Sequence, residues 1–164
     1  MSAPFDSAQF RAVLGHVPTS VVVVTGLNAQ GTAFGITIGS FASVSLDPPL
    51  VGFFPGVRSQ SWAAIRESGR FCVNVLGSHQ EEACWRFAKE GDDKFAGVEW
   101  LPSEGGSPVL PGSIAWIDCE IDSETVMGDH TCVVGRVASL DHAEEVENAM
   151  VFFRGKVSSV KHGG

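Results

Sequence analysis

The stretch from Thr32 to Leu46 constrains this chain more than any other, because its two alternating sets of side chains differ sharply in character. A strand sends successive side chains to opposite faces. Read as one strand, the segment puts Phe34, Ile36, Ile38, Val44 and Leu46 on an ordinary core face, with Ser40 and Ala42 as smaller interruptions. The other face carries Ala33, Gly35, Thr37, Gly39, Ser43 and Ser45, and Phe41 is its only bulky member. Glycine inside a strand weakens it and commonly marks the close approach of a ligand or another backbone. A flat ring on such a face would meet amides and hydroxyls with no side chain in the way, so the pattern suits a cofactor shelf. It equally suits a tight barrel bend or a subunit contact. The strand alone leaves both readings open.

The rest of the chain is also rich in strand signals. Segments Ser20–Leu27, Leu50–Pro55, Arg70–Leu76, Ser113–Met127, Thr131–Leu140 and Val151–Val157 are β-prone and separated by Gly, Pro, Asn or Asp. With Thr32–Leu46 they predict a barrel of six or seven strands. Three helices interrupt it. The first is capped by Asp6, carries Phe10, Val13, Leu14 and Val17 at helical spacing, and is stopped by Pro18. The second runs from about Ser59 to Ser68, with Trp62 and Ile65 inward and Gly69 as its C-terminal cap. The third starts at Ser78, where Glu81 completes a capping box, and turns Cys84, Phe87 and Ala88 to one face. Pro102–Gly112 reads as a surface loop, since too few residues follow it for a second domain. A single domain over 1–164, with its core at about 10–157, is expected.

Composition narrows the function classes. Apolar residues make up 44 % and charged residues 18 %, which is a folding chain and not a disordered one. The net charge of −8, with no Lys/Arg block, argues against a nucleic-acid partner. Apolar runs such as Val21–Val24 are far shorter than the ~20 residues of a membrane helix. Cys72, Cys84, Cys119 and Cys132 form no CxxC pair, and no secretory pattern opens the chain, so a reduced cytoplasmic protein is expected. Sparse polar surface and the use of Phe 11 times without a single Tyr hint at self-association.

Several chemistries drop out. The sequence has no GxSxG elbow, no GxxxxGK[ST] loop and no GxGxxG opening a helix after a strand. His130 and Cys132 would share a strand face, but two ligands do not make a structural zinc site. Asp92-Asp93 and Glu144-Glu145 with Glu147 lack the alternation of a calcium loop. No metal and no redox dithiol are assigned.

Beyond these local readings, a series of motifs follows in order: Pro18-Thr19-Ser20-Val21-Val22-Val23-Val24-Thr25, then Gly35-Ile36-Thr37-Ile38-Gly39-Ser40-Phe41-Ala42-Ser43-Val44-Ser45-Leu46-Asp47-Pro48-Pro49-Leu50. Ser68-Gly69-Arg70-Phe71-Cys72-Val73-Asn74-Val75-Leu76, Asp93-Lys94-Phe95, Gly106-Ser107-Pro108-Val109-Leu110 and Gly128-Asp129-His130 continue it. From about Phe10 to Gly155 the chain resembles the flavin reductase family of two-component monooxygenase systems.

The resemblance implies a mainly β split barrel, a homodimer with flavin at or near the interface, and a separate monooxygenase component. It implies transfer of a hydride from NADH or NADPH to FMN or FAD, with the choice within each pair left open. Implied flavin contacts are Thr37, Ser40 and Ser43. Ser59 and Ser61 stand at a helix start whose free N–H groups and dipole favour phosphate, with Ser59 equally an N-cap. Arg58 or Lys94 would neutralise that phosphate. Gly128, Asp129 and His130 match the motif beside the nicotinamide, which makes His130 the residue expected to orient the dinucleotide. Lys156 stands after Gly155 where the family often has an aromatic residue. The same fold also accommodates a reductase that keeps its flavin, a flavin-storage protein, or a barrel whose Gly-rich strand serves only dimer packing.

Overall fold

A computed structural model describes residues 3–91, 93–146 and 148–163. In chain order the elements are α1 (Ser7–Leu14), β1 (Thr19–Ser20), β2 (Val22–Leu27), β3 (Ala33–Ile38), β4 (Ala42–Ser45), β5 (Leu50–Phe53), α2 (Gln60–Ile65) and β6 (Arg70–Val75). There follow α3 (Glu81–Ala88), β7 (Leu101–Pro102), β8 (Pro108–Val109), β9 (Ala115–Met127), β10 (His130–His142), β11 (Asn148–Phe153) and β12 (Lys156–Lys161). A seven-stranded antiparallel sheet runs β3-β2-β6-β9-β10-β5-β4, and a smaller one runs β1-β11-β12. The large sheet does not close on itself: its two edges, β3 and β4, are consecutive in the chain, which is the split-barrel arrangement.

The run Val21–Val24 explains why β2 lies inside the sheet. Val22 and Val24 face one core cluster with Phe53, Trp62, Ile65, Phe71, Val73 and Val133, while Val21 and Val23 face another with Leu76, Cys84, Phe87, Leu110 and Met150. A strand buried on both faces reads as a near-continuous apolar run, and the one buried hydroxyl in β2, Thr25, donates to the Cys72 carbonyl. Phe53, Trp62 and Phe71 meet edge to face at centroid distances of 5.2, 5.2 and 5.9 Å, a geometry that adds to their burial. The loop after β8 is fastened from below, because Asn74 donates to Pro108 O and its Oδ1 accepts the Leu110 N–H at 2.9 Å.

Local signals held where capping chemistry decided them. Asp6 caps α1 by accepting the Gln9 N–H at 2.7 Å, and Gly69 ends the turn after α2 at φ +73°. Elsewhere the structure corrects the sequence reading. Thr32–Leu46 is not one strand: it breaks at 39–41, because the Ser40 hydroxyl accepts the Phe54 N–H at 3.0 Å and turns the chain from one sheet edge to the other. Gly39 permits the turn, since a Cβ there would stand 3.1 Å from Thr19 Oγ1. Val44 and Leu46 are therefore not core; they are 56 % and 97 % exposed. Val151–Val157 is likewise two strands, reversed at Arg154 and Gly155, both at positive φ. The expected Ser78 capping box is replaced by Gln80, whose Oε1 accepts the Gly77 N–H at 3.0 Å, and Ala88 is exposed. The apolar stripe of α1 is exposed as well, and α1 buries no residue. Asp92 and Glu147 lie outside the described residues.

Candidate active site

Two adjoining cavities of about 1070 and 760 Å³ share Ile36, Thr37 and Gly56 and form one groove. One end lies between the loop after β5 and the end of α3; the other lies between α1, Ser40, Phe54 and His130.

The loop after β5 is held at every step. Phe53 is fully buried in the aromatic cluster, and Phe54 is tied to Ser40. The Pro55 carbonyl accepts the Thr131 N–H at 2.9 Å, and the Val57 N–H donates to Asp129 O at 3.0 Å. Ser59 then caps α2, accepting the Trp62 N–H at 3.2 Å. Its capping role is thus filled, leaving the Gln60 and Ser61 region at the cavity wall. Ser61 is 7 % exposed, and its hydroxyl accepts from Lys94 Nζ at 3.0 Å.

Lys94 is not a free cation. Its ammonium also donates to Gly35 O and Phe87 O, each at 3.2 Å, so all three hydrogens hold protein oxygens. Burial pushes it below the ordinary lysine range, with Glu90 pulling weakly the other way. Lys94 therefore acts as a strut joining β3, α3 and the start of α2. The Gly35 face is not an open shelf either: a Cβ there would fall 2.7 Å from Phe87 Cδ1. That glycine admits Phe87, and open space begins only at Ile36 and Thr37. The Thr37 hydroxyl donates to Cys84 O at 2.6 Å, which leaves its lone pairs for a ligand.

The tip of the β9–β10 hairpin spans both cavities, with Gly128 and Asp129 at the larger and His130 at the smaller. Gly128, at φ +63°, is the first corner of a two-residue turn between Met127 and His130, a position where glycine is at ease. His130 Nδ1 and Asp129 Oδ1 are 2.7 Å apart. This hydrogen bond, and the adjacent imidazole charge, hold the Asp129 carboxyl below the usual range. With Nδ1 so engaged, Nε2 is the ring nitrogen left for a ligand.

The structure thus brings Thr37, Arg58, Ser59, Ser61, Lys94, Gly128 and Asp129 to the larger cavity, and Thr37, Ser40 and His130 to the smaller. Ser43 lines neither; it sits on β4 at the exposed sheet edge. Sequence reasoning missed Gly56, which lines both cavities, and the Lys89–Gly91 rim beyond α3. Their only signal was position next to an element end. The groove fits a flavin with a nicotinamide: the larger cavity is at the upper end of the ~300–1,000 Å³ typical of small-molecule sites, and Arg58, Ser59 and the α2 amides supply donors suited to a phosphate. Among the described residues, no group of three or more His, Cys, Asp or Glu stands together as a metal site, and no helix is long and apolar enough to cross a membrane.

The chain is similar to known proteins along nearly its whole length. The family described as flavin reductase like domain matches residues 14–161. A flavin reductase of Pseudomonas putida is 47 % identical over 150 residues, covering 92 % of this chain and 88 % of that protein. The reductase subunit HsaB of a flavin-dependent monooxygenase from Rhodococcus jostii is 46 % identical over 156 residues, covering 95 % and 79 %. Nitrilotriacetate monooxygenase component B from Mycobacterium thermoresistibile superposes with a TM-score of 0.90 at 43 % identity, covering 95 % and 87 %. An NADH:FAD oxidoreductase of Streptomyces globisporus, solved with NAD and FAD fragments, superposes at 0.87 and 34 % identity, covering 96 % and 94 %. Matched along nearly its whole length and carrying a groove of the appropriate size and donor set, this chain belongs to the flavin reductase family.

Proposed function

We propose that this chain is an NAD(P)H:flavin oxidoreductase that supplies reduced flavin to a separate monooxygenase component. The carrying observation is the continuity of the two cavities through Thr37 and Gly56, which sets a phosphate-suited wall and His130 on one groove. Hydride transfer from nicotinamide to flavin is the cofactors' own chemistry. The chain's residues supply alignment, where near-contact of the reacting atoms removes most of the entropic cost. Arg58, Ser59 and Ser61 hold the flavin phosphate, Thr37 and Ser40 its ring edge, and Lys94 fixes the wall they stand on. His130, turned by Asp129 at the Gly128 corner, orients the nicotinamide.

The working unit in this reading is a homodimer of single-domain chains. Support comes from the exposed apolar surfaces, Phe10, Val13, Leu14 and Val17 on α1 and Val44 and Leu46 at the sheet edge, which a second copy would cover. Ser43, outside the groove of one chain, lies on that edge. Release of reduced flavin is supported by the open groove and by relatives that are reductase components.

Steady-state oxidation of NADH and NADPH with FMN or FAD tests the reaction. Flavin-dependent turnover, with flavin lost on gel filtration, is the expected result. Flavin binding without nicotinamide oxidation would overturn the enzyme reading in favour of storage, and flavin that never leaves would remove the carrier role.

A further inference from the structure

We propose that Glu124, which lines neither cavity, is a positioning residue that sets the spacing between the two ends of the groove; the proposal rests on the flavin reductase reading. The α2 helix has only six residues, too short to hold its own direction. Its outer side is fixed by one carboxylate. Trp62 Nε1 donates to Glu124 Oε1 at 2.9 Å, and Arg66 Nη2 donates to Oε2 at 2.8 Å, with Nε 3.2 Å from both oxygens. Trp62 is 4 % exposed, so without Glu124 its indole N–H would be a buried donor with no acceptor.

What Glu124 is attached to gives the clamp its function. It lies on β9 opposite Val133, on the strand that runs directly into Gly128, Asp129 and His130. That tip grips the near end of the loop through the Val57 N–H to Asp129 O bond and the Thr131 N–H to Pro55 O bond. The chain from β9 through the hairpin tip, the 55–59 loop and α2 therefore closes back on β9 at Glu124. Ser59 and Ser61, which line the larger cavity, and His130, which lines the smaller, are all carried on this closed ring. Opening the ring at Glu124 leaves α2 held by the packing of Trp62 and Ile65 and by the Lys94–Ser61 bond, with its outer side no longer tied to the strand that carries the hairpin tip. The stranded indole N–H costs the desolvation of one buried donor and the half-exposed Arg66 pair little, so the expected consequence is lost alignment in a chain that still folds.

The experiment uses the full chain with Glu124→Leu, Glu124→Gln and Arg66→Gln, measuring flavin Kd by fluorescence quenching, nicotinamide KM, kcat and thermal melting. Glu124→Leu is expected to weaken flavin binding and lower kcat, each about tenfold, in protein still folded at the assay temperature. Glu124→Gln, which can still accept the indole N–H, should recover most of that loss. Arg66→Gln, at an exposed position, should fold normally and give a severalfold effect. A lowered melting temperature with Kd, KM and kcat unchanged in all three variants would show a purely structural clamp and overturn the proposal. Wild-type protein that neither binds flavin nor oxidises NAD(P)H would overturn the reductase reading itself, whatever the variants do.

Discussion

The two ends of the groove are built by different means. At the α2 end, side chains do the holding: Lys94 ties three segments together from inside, and Trp62, Arg66 and Glu124 tie α2 from outside. At the His130 end the hairpin is tied to the 55–57 loop by backbone bonds and the imidazole is half exposed. In the proposed reading, the contrast separates affinity from chemistry along the groove. The rigid end suits a ligand part that is gripped before reaction, and the open end suits one that arrives and departs in each turnover.

Substitutions at the rigid end should cost stability, and those at the open end should not. Lys94→Met, which strands the Ser61 hydroxyl and two carbonyls, should lower unfolding free energy by about 2–4 kcal/mol and raise flavin Kd more than nicotinamide KM. Denaturant titration and fluorescence quenching report both, and unchanged flavin affinity would break the comparison. Gly35→Ala should cost about 1–3 kcal/mol by overpacking against Phe87, read from the denaturation midpoint. His130→Ala should leave melting unchanged and raise nicotinamide KM about three- to tenfold; equal damage to flavin Kd would mean the ends are not separate. The smallest effect is chemical. Cys132, half-buried in the hairpin, should react first with a thiol reagent, while Cys84 under the rigid wall stays protected. Burial raises the Cys84 thiol, pushes Cys119 up to about 12 and Cys72 higher still, which suppresses the reactive thiolate.

Legibility of the sequence follows the same division. Asp6, Gly69, Trp62 and Ile65 behaved as read because capping and helical spacing are local. The break at 39–41 was not legible, because its cause is the Phe54 N–H, just past β5, donating to the Ser40 hydroxyl from a distant part of the chain. Apolar spacing placed Val44 and Leu46 inside, yet alternation says only that a face is apolar, not what covers it. Lys94 read as a counter-charge because a lysine's partners cannot be seen in one dimension; three oxygens from 35, 61 and 87 converge on it only in the fold. Glu124 gave no signal at all, since its partners are some 60 residues earlier in the chain.

The order of the large sheet also has a bearing on how the protein is made. Strands β2, β3 and β6 form one hydrogen-bonded group and β4 and β5 another; the sheet order joins them through β9 and β10, while Phe53 packs on Phe71 between them. A growing chain that has emerged as far as residue 110 holds two strand groups with no ladder between them, each with bare strand edges. Such non-local pairing is slow to form and prone to association meanwhile. The long hairpin is the last part of that sheet to be synthesised and the part that joins it. Ribosome-arrested chains ending before residue 115 should therefore be protease-sensitive throughout, and resistance should appear in a single step once His142 has cleared the exit tunnel.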